Sequence, residues 1–167
     1  MTPEEYVEQA AERMRADGND VGPVDLPVGR ATVGYRSEFR VRWGATKLHL
    51  FIVVLPLPVA TGEWLTALGR AAAEYAKATK GQLRGLQSGL AVIPALVASE
   101  VRPDAREAAE AKPGKEWAVF SLPTVVDLAA SQTYTYRGRM VWGAAYASWL
   151  RERQAAALSP PPPSAGG

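Results

Sequence analysis

Few residues in this chain are able to do chemistry. There is no cysteine and a single histidine, His49, so thiolate nucleophiles, disulfides and an N/S zinc site within one chain are excluded. Ser88, His49 and Asp127 supply the parts of a nucleophilic triad. The serine, however, lies in Gly85-Leu86-Gln87-Ser88-Gly89, one residue off the G-x-S-x-G spacing, and it precedes an expected strand where a nucleophile elbow needs the strand before it. The glycine-spaced loop from Lys80 to Gly89 could hold an anion between Lys80 and Arg84. It lacks the Gly-Lys-Ser/Thr ending and leads into a strand instead of a helix N-terminus, so a connecting loop is the simpler reading. His49 reads as a ring packed at the start of a strand with one nitrogen hydrogen-bonded, with a place in a pocket as the alternative. No catalytic residue, metal or cofactor is expected.

The positive charge is more suggestive. The net charge is +2, but residues 1–29 hold two basic and seven acidic residues, 30–90 nine and three, and 91–167 eight and seven. A basic surface of Arg36, Arg40, Arg42 and Lys47, joined by Lys80 and Arg84, is the candidate for an anionic partner. Arg40 and Arg42 are expected to project from one strand face, where paired guanidiniums contact phosphates. The plainer reading is that the acidic first helix lies across these cations or that both surfaces are solvated.

The elements that would position these residues centre on Leu48 to Leu55, a strand-forming apolar run broken only by His49. A strand apolar on both sides needs both faces covered, which predicts a central sheet position with helices on either face. Before it, Thr2-Pro3-Glu4-Glu5 has the pieces of a helix start, with Thr2 as N-cap and Glu5 closing a capping box. Gly18 ends that helix, and Asn19 to Arg30 reads as a loop. Strands follow at Ala31–Tyr35 and, after a turn at Arg36-Ser37, at Phe39, Val41 and Trp43, whose alternation with Glu38, Arg40 and Arg42 buries the apolar set. With Lys47 to Leu55 they form a three-strand antiparallel meander.

Thr61 caps a long helix to about Thr79, with Trp64, Leu65, Leu68, Ala72 and Tyr75 toward the sheet. A fourth strand, Leu90 to Val97, contains Pro94, which cannot donate to a ladder and requires a bulge or an unpaired position. A short helix from Pro103 to about Ala111, strand segments at 117–120 and 124–128, an edge strand at Thr133–Tyr136 and a helix from Met140 to Arg153 complete the order. That last helix presents Val141, Trp142, Ala145, Tyr146 and Trp149 to the body. The fold class is α/β, with α+β as the alternative: a central mixed sheet with helices on both faces. Residues 1–157 form one domain and 158–167 a disordered, Pro-rich, solvated tail.

This order of elements resembles the restriction-endonuclease-like fold, in particular its modified-DNA restriction branch, over about residues 4–130. The resemblance implies a nuclease ancestry, with an acidic residue on one strand and a Glu or Gln, one spacer, then Lys on the next to hold Mg²⁺. Ile52-Val53-Val54-Leu55 stands where the second motif belongs, and Glu38 is the only acidic residue of the expected meander, so the resemblance implies a degenerate site. The order is also similar to small secretion-chaperone-like domains, which bind protein partners, usually as dimers.

Five tryptophans and six tyrosines favour an interface wherever several are exposed. No run reaches the length of a membrane helix, and the N-terminus lacks a signal-peptide pattern. A composition rich in Ala, Arg, Gly and Pro suggests a high-GC bacterial genome. The expectation is a cytoplasmic, non-catalytic binding domain acting through a protein partner or its own copy. A nucleic-acid-binding protein with a degenerate nuclease-like fold is the alternative, and a hydrolase of unknown class the third reading.

Overall fold

The computed structural model describes residues 1–80, 88–113, 119–140 and 144–163. Its elements run α1 (Pro3–Ala16), β1 (Asp20–Leu26), β2 (Gly29–Arg40), a 3-10 turn (Val41–Trp43), β3 (Thr46–Ala60), α2 (Gly62–Lys80), β4 (Ser88–Val101), α3 (Pro103–Glu110), β5 (Phe120–Ser121), β6 (Thr124–Asp127), β7 (Gln132–Thr135) and α4 (Ala144–Ala157). The seven strands form one mixed sheet in the order β1-β2-β3-β4-β6-β7, with β5 also paired to β4. β1, β2 and β3 are antiparallel neighbours, whereas β3, β4 and β6 run parallel, joined by α2 and α3. Among the described residues no helix is long and apolar enough to cross a membrane.

β3 is the centre, as its composition requires. Leu48, Leu50, Ile52 and Val54 face one apolar layer with Tyr6, Val7, Ala10 and Met14 of α1 and Trp149 and Leu150 of α4. The alternate residues Phe51, Val53 and Leu55 face the other layer, under Leu65, Leu68 and Ala72 of α2 and Ala105 and Ala109 of α3. Helices therefore cover both faces. α1 begins as the capping box demands: the Thr2 amide donates to Glu5 Oε2 at 2.7 Å and the Glu5 amide to Thr2 Oγ1 at 3.1 Å. It lies close on the sheet because Gly34 has no side chain; a Cβ there would come within 2.6 Å of Met14 Sδ.

The prolines sit where the ladder can spare an amide. Val92 and Ala98 accept bonds from Leu122 and Leu128, so by strand alternation Pro94 turns its missing N–H to that same side. There it falls between β5 and β6, where β4 has no paired residue. β3 continues past Pro56 and Pro58 because both lie beyond Val54, its last residue paired to β2.

Several expectations are corrected. The segment read as a loop from Asn19 contains β1, an edge strand whose partner β2 supplies the apolar pattern that Val21-Gly22-Pro23 lacks. The meander is thus antiparallel as expected but starts one strand earlier, and it includes Asp20 and Asp25 besides Glu38. β2 runs straight through Arg36-Ser37. The strand expected at Phe39–Trp43 ends at Arg40, and only Trp43 of its apolar set is buried. Trp64 is turned to solvent, and so is Ala145.

The tail does not begin at 158. Leu158 is buried, and its carbonyl accepts from Thr133 Oγ1 at 3.0 Å. The Tyr6 hydroxyl donates to the Ser159 carbonyl at 2.7 Å. Burial, opposed by Arg13, pushes that phenol up to about 12, so it stays a donor at any physiological pH. Residues 164–167 lie outside the described residues, as do Trp117, Val141 and Trp142.

Candidate binding surface at the end of the sheet

The basic residues singled out from the sequence do not form one surface, because β2 and β3 distribute them over two faces. Antiparallel partners share a face. Arg36 opposes Leu50, Glu38 opposes Leu48 and Arg40 opposes Thr46, which places them on the side of α1 and α4. Tyr35, Ser37 and Phe39 oppose Phe51, His49 and Lys47 on the side of α2. Arg42 belongs to the 3-10 turn and is exposed. Arg40 and Arg42 therefore do not project from one strand face. Arg84 lies outside the described residues.

On the first side the charges are spent on one another. Arg36 Nη1 lies 3.5 Å from Asp17 Oδ2 and also donates to the Asp17 carbonyl at the end of α1, while its Nη2 lies 3.2 Å from Glu38 Oε2. Glu38 takes Arg40 at 3.3 Å, and Asp17 takes Arg153 of α4 at 3.1 Å. Arg36 lies over the Trp149 ring and Arg40 over the Trp43 ring, at 5.6 and 5.1 Å from the centroids. Trp43 packs edge-on against both Tyr146 and Trp149. Arg36, Asp17 and Arg153 have side chains only about one-fifth exposed. This network fastens α1, β2 and α4 together and leaves little of Arg36 for an external anion. Glu38, the carboxylate that a metal site would need, is committed to two arginines.

On the second side lies His49, whose ring is buried and whose Nδ1 is 2.7 Å from the Tyr35 hydroxyl. The rings stack with an interplanar angle of 14°, and Lys80 Nζ lies over the Tyr35 ring at 4.6 Å. Nε2 has no hydrogen-bond partner among the described residues. Burial first, then Lys47 and Lys80, holds His49 below its ordinary value of 6.5. The unfolded chain therefore takes up this proton more readily than the folded one. Stability is full above about 6.5 and falls as the pH is lowered from there toward the folded value. With a single histidine in the chain, the effect is assignable. Thermal midpoints should drop between about pH 7 and pH 5 in the parent and lose that slope in His49→Gln; a flat parent profile would contradict the assignment.

The triad is not assembled. His49 pairs in register with Leu90 at the start of β4, while Asp127 pairs with Ala98, eight residues further along the same strand. Eight strand residues span about 26 Å. Asp127 instead accepts the Ala130 amide at 2.9 Å. Among the described residues no group of three or more His, Asp or Glu side chains could hold a metal.

What the sequence did not single out is the apolar surface beside these charges. Phe39 is 57 % exposed and Val41 78 %, at the end where β2 passes through the 3-10 turn into β3. Lys80, the last described residue of α2, lies over Tyr35, and Phe39 stands four residues further along β2. Gly44 and Ala45, both at positive φ, then turn the chain back into β3. Lys47, directly opposite Phe39, and Arg42 are exposed. Apart from the tip, an open groove of about 360 Å³ between α1 and β1 has Val7, Ala11, Val21 and Pro23 in its lining and Glu8 and Glu12 along it. No family model, curated protein or solved structure matches the chain.

Proposed function

We propose that this chain is a non-catalytic binding domain whose contact surface is the tip formed by the end of β2, the 3-10 turn and the start of β3. The observation that carries this reading is the joint exposure of Phe39 and Val41, with the exposed Lys47 opposite Phe39 and the exposed Arg42 next to Val41. Among the described residues Met1, Phe39, Val41 and Trp64 are the exposed large hydrophobic side chains, and of these Phe39 is the one in the sheet. Exposed apolar side chains rimmed by polar and charged groups mark candidate contact sites. The arginines on the opposite face serve the fold, which leaves Arg42, Lys47 and Lys80 to select a partner of negative charge. A degenerate nuclease-like ancestry is compatible with this but is not needed for it.

The test is a pull-down from cells that express the chain, run with the parent and with the Phe39→Ser/Val41→Ser double variant. A partner held by the parent at near-equal stoichiometry and released by the variant is the expected result. Equal capture by both would place the contact elsewhere on the molecule.

A further inference from the structure

Resting on that reading, we infer that the partner of the tip is a second copy of this chain, which receives Phe39 and Val41 in its groove between α1 and β1. The two surfaces are opposite in shape and in charge. The tip carries two exposed apolar side chains beside the exposed cations Arg42 and Lys47. The groove is an open, partly apolar concavity of about 360 Å³. Glu8 and Glu12, one turn apart on α1 and both exposed, lie along it, against Arg15 as the cation of the lining. Among the described residues neither of these two carboxylates is in an ion pair, and neither is Arg42 or Lys47. Within one copy the acidic helix meets the basic segment through Asp17 and Arg36. Glu8 and Glu12 on one side, and Arg42 and Lys47 on the other, are thus left to pair between copies.

The fold keeps the two surfaces of one copy apart. Pro23 of the groove pairs with Thr32, and Phe39 lies seven residues further along β2, about 23 Å away. Thr32 lies on the α1 face with Arg36 and Arg40, whereas Phe39 is on the α2 face. A tip therefore cannot enter its own groove. Contact between unlike patches of identical chains is heterologous: each copy added keeps a free tip or a free groove, so association runs on head to tail into a ring or an open chain.

Sedimentation velocity on the full chain, from about 10 μM to about 1 mM, tests this with two blocked variants. Phe39→Ser/Val41→Ser removes the apolar part of the tip, and Glu8→Lys/Glu12→Lys reverses the charge of the groove. All four positions are exposed, and a circular-dichroism melt confirms that each variant is folded. The parent's mean mass is expected to rise with concentration past that of a dimer, and to rise less at about 0.5 M salt, where the charges are screened. Each variant alone should associate at least about tenfold more weakly. Mixed in equal amounts, the two variants supply one intact tip and one intact groove, and the mixture should form a dimer and stop there. A parent that is monomeric throughout, an assembly that survives either double substitution, or a mixture that stays monomeric overturns the inference. If the parent is monomeric while the pull-down recovers a different protein that the tip variant releases, the inference falls and the binding reading stands. If the tip variant releases nothing, both fall.

Discussion

Ile52→Ala is expected to destabilise the chain by about 2–5 kcal/mol and to lower its thermal midpoint by roughly 5–15 °C. Ile52 is fully buried at the middle of β3, between Gly34 of β2 and Ile93 of β4. Its side chain fills the layer under α1, where Met14 already uses the space that Gly34 leaves. Collapse into the cavity is restricted because β3 is paired along both edges and cannot shift without breaking two ladders. Chemical denaturation with unchanged m-value is the measurement. A cost below about 1 kcal/mol would mean that the layer is not packed as described.

The second large effect is expected at Arg36. Arg36→Ala removes two ion pairs, the hydrogen bond to the Asp17 carbonyl that closes α1, and the stack on Trp149. Breaking a buried pair costs about 3–5 kcal/mol. Here solvent reaches part of the network, and Asp17 and Glu38 each retain a second arginine, which reduces the expected loss to about 2 kcal/mol. Arg42→Ala, on the exposed turn, should stay within about 0.5 kcal/mol of the parent. Denaturant midpoints of the two variants side by side check the division of labour. Similar values would mean that Arg36 is no more structural than Arg42.

The contrast between these arginines also shows what could be read from the sequence. Local patterns were legible: the capping box at Thr2, the apolar run of β3, the α2 stripe and the short α3 each depend on residues within one element. Those patterns led to the helix-covered mixed sheet. β1 was not legible because Val21-Gly22-Pro23 has little strand character of its own and is held by pairing to β2. The fate of Phe39 and Val41 was not legible for a different reason. Alternation tells which side chains share a face, but not which of them stay open to solvent, as Phe39 does. The charges were misassigned because Arg36 and Arg153 find Asp17 across 19 and 136 residues of chain, and no local count reveals such partners. The expected apposition of the acidic helix and the basic segment is realised through Asp17, while Glu4, Glu8 and Glu12 face solvent.

The location of the contact surface is tested most directly by amide hydrogen exchange on the parent chain, alone and with the partner it retains. Slowed exchange in residues 38–48 is the result expected of a tip-binding domain. Protection confined to the groove between α1 and β1, or to the β7 edge, with residues 38–48 exchanging as in the free chain, would contradict it.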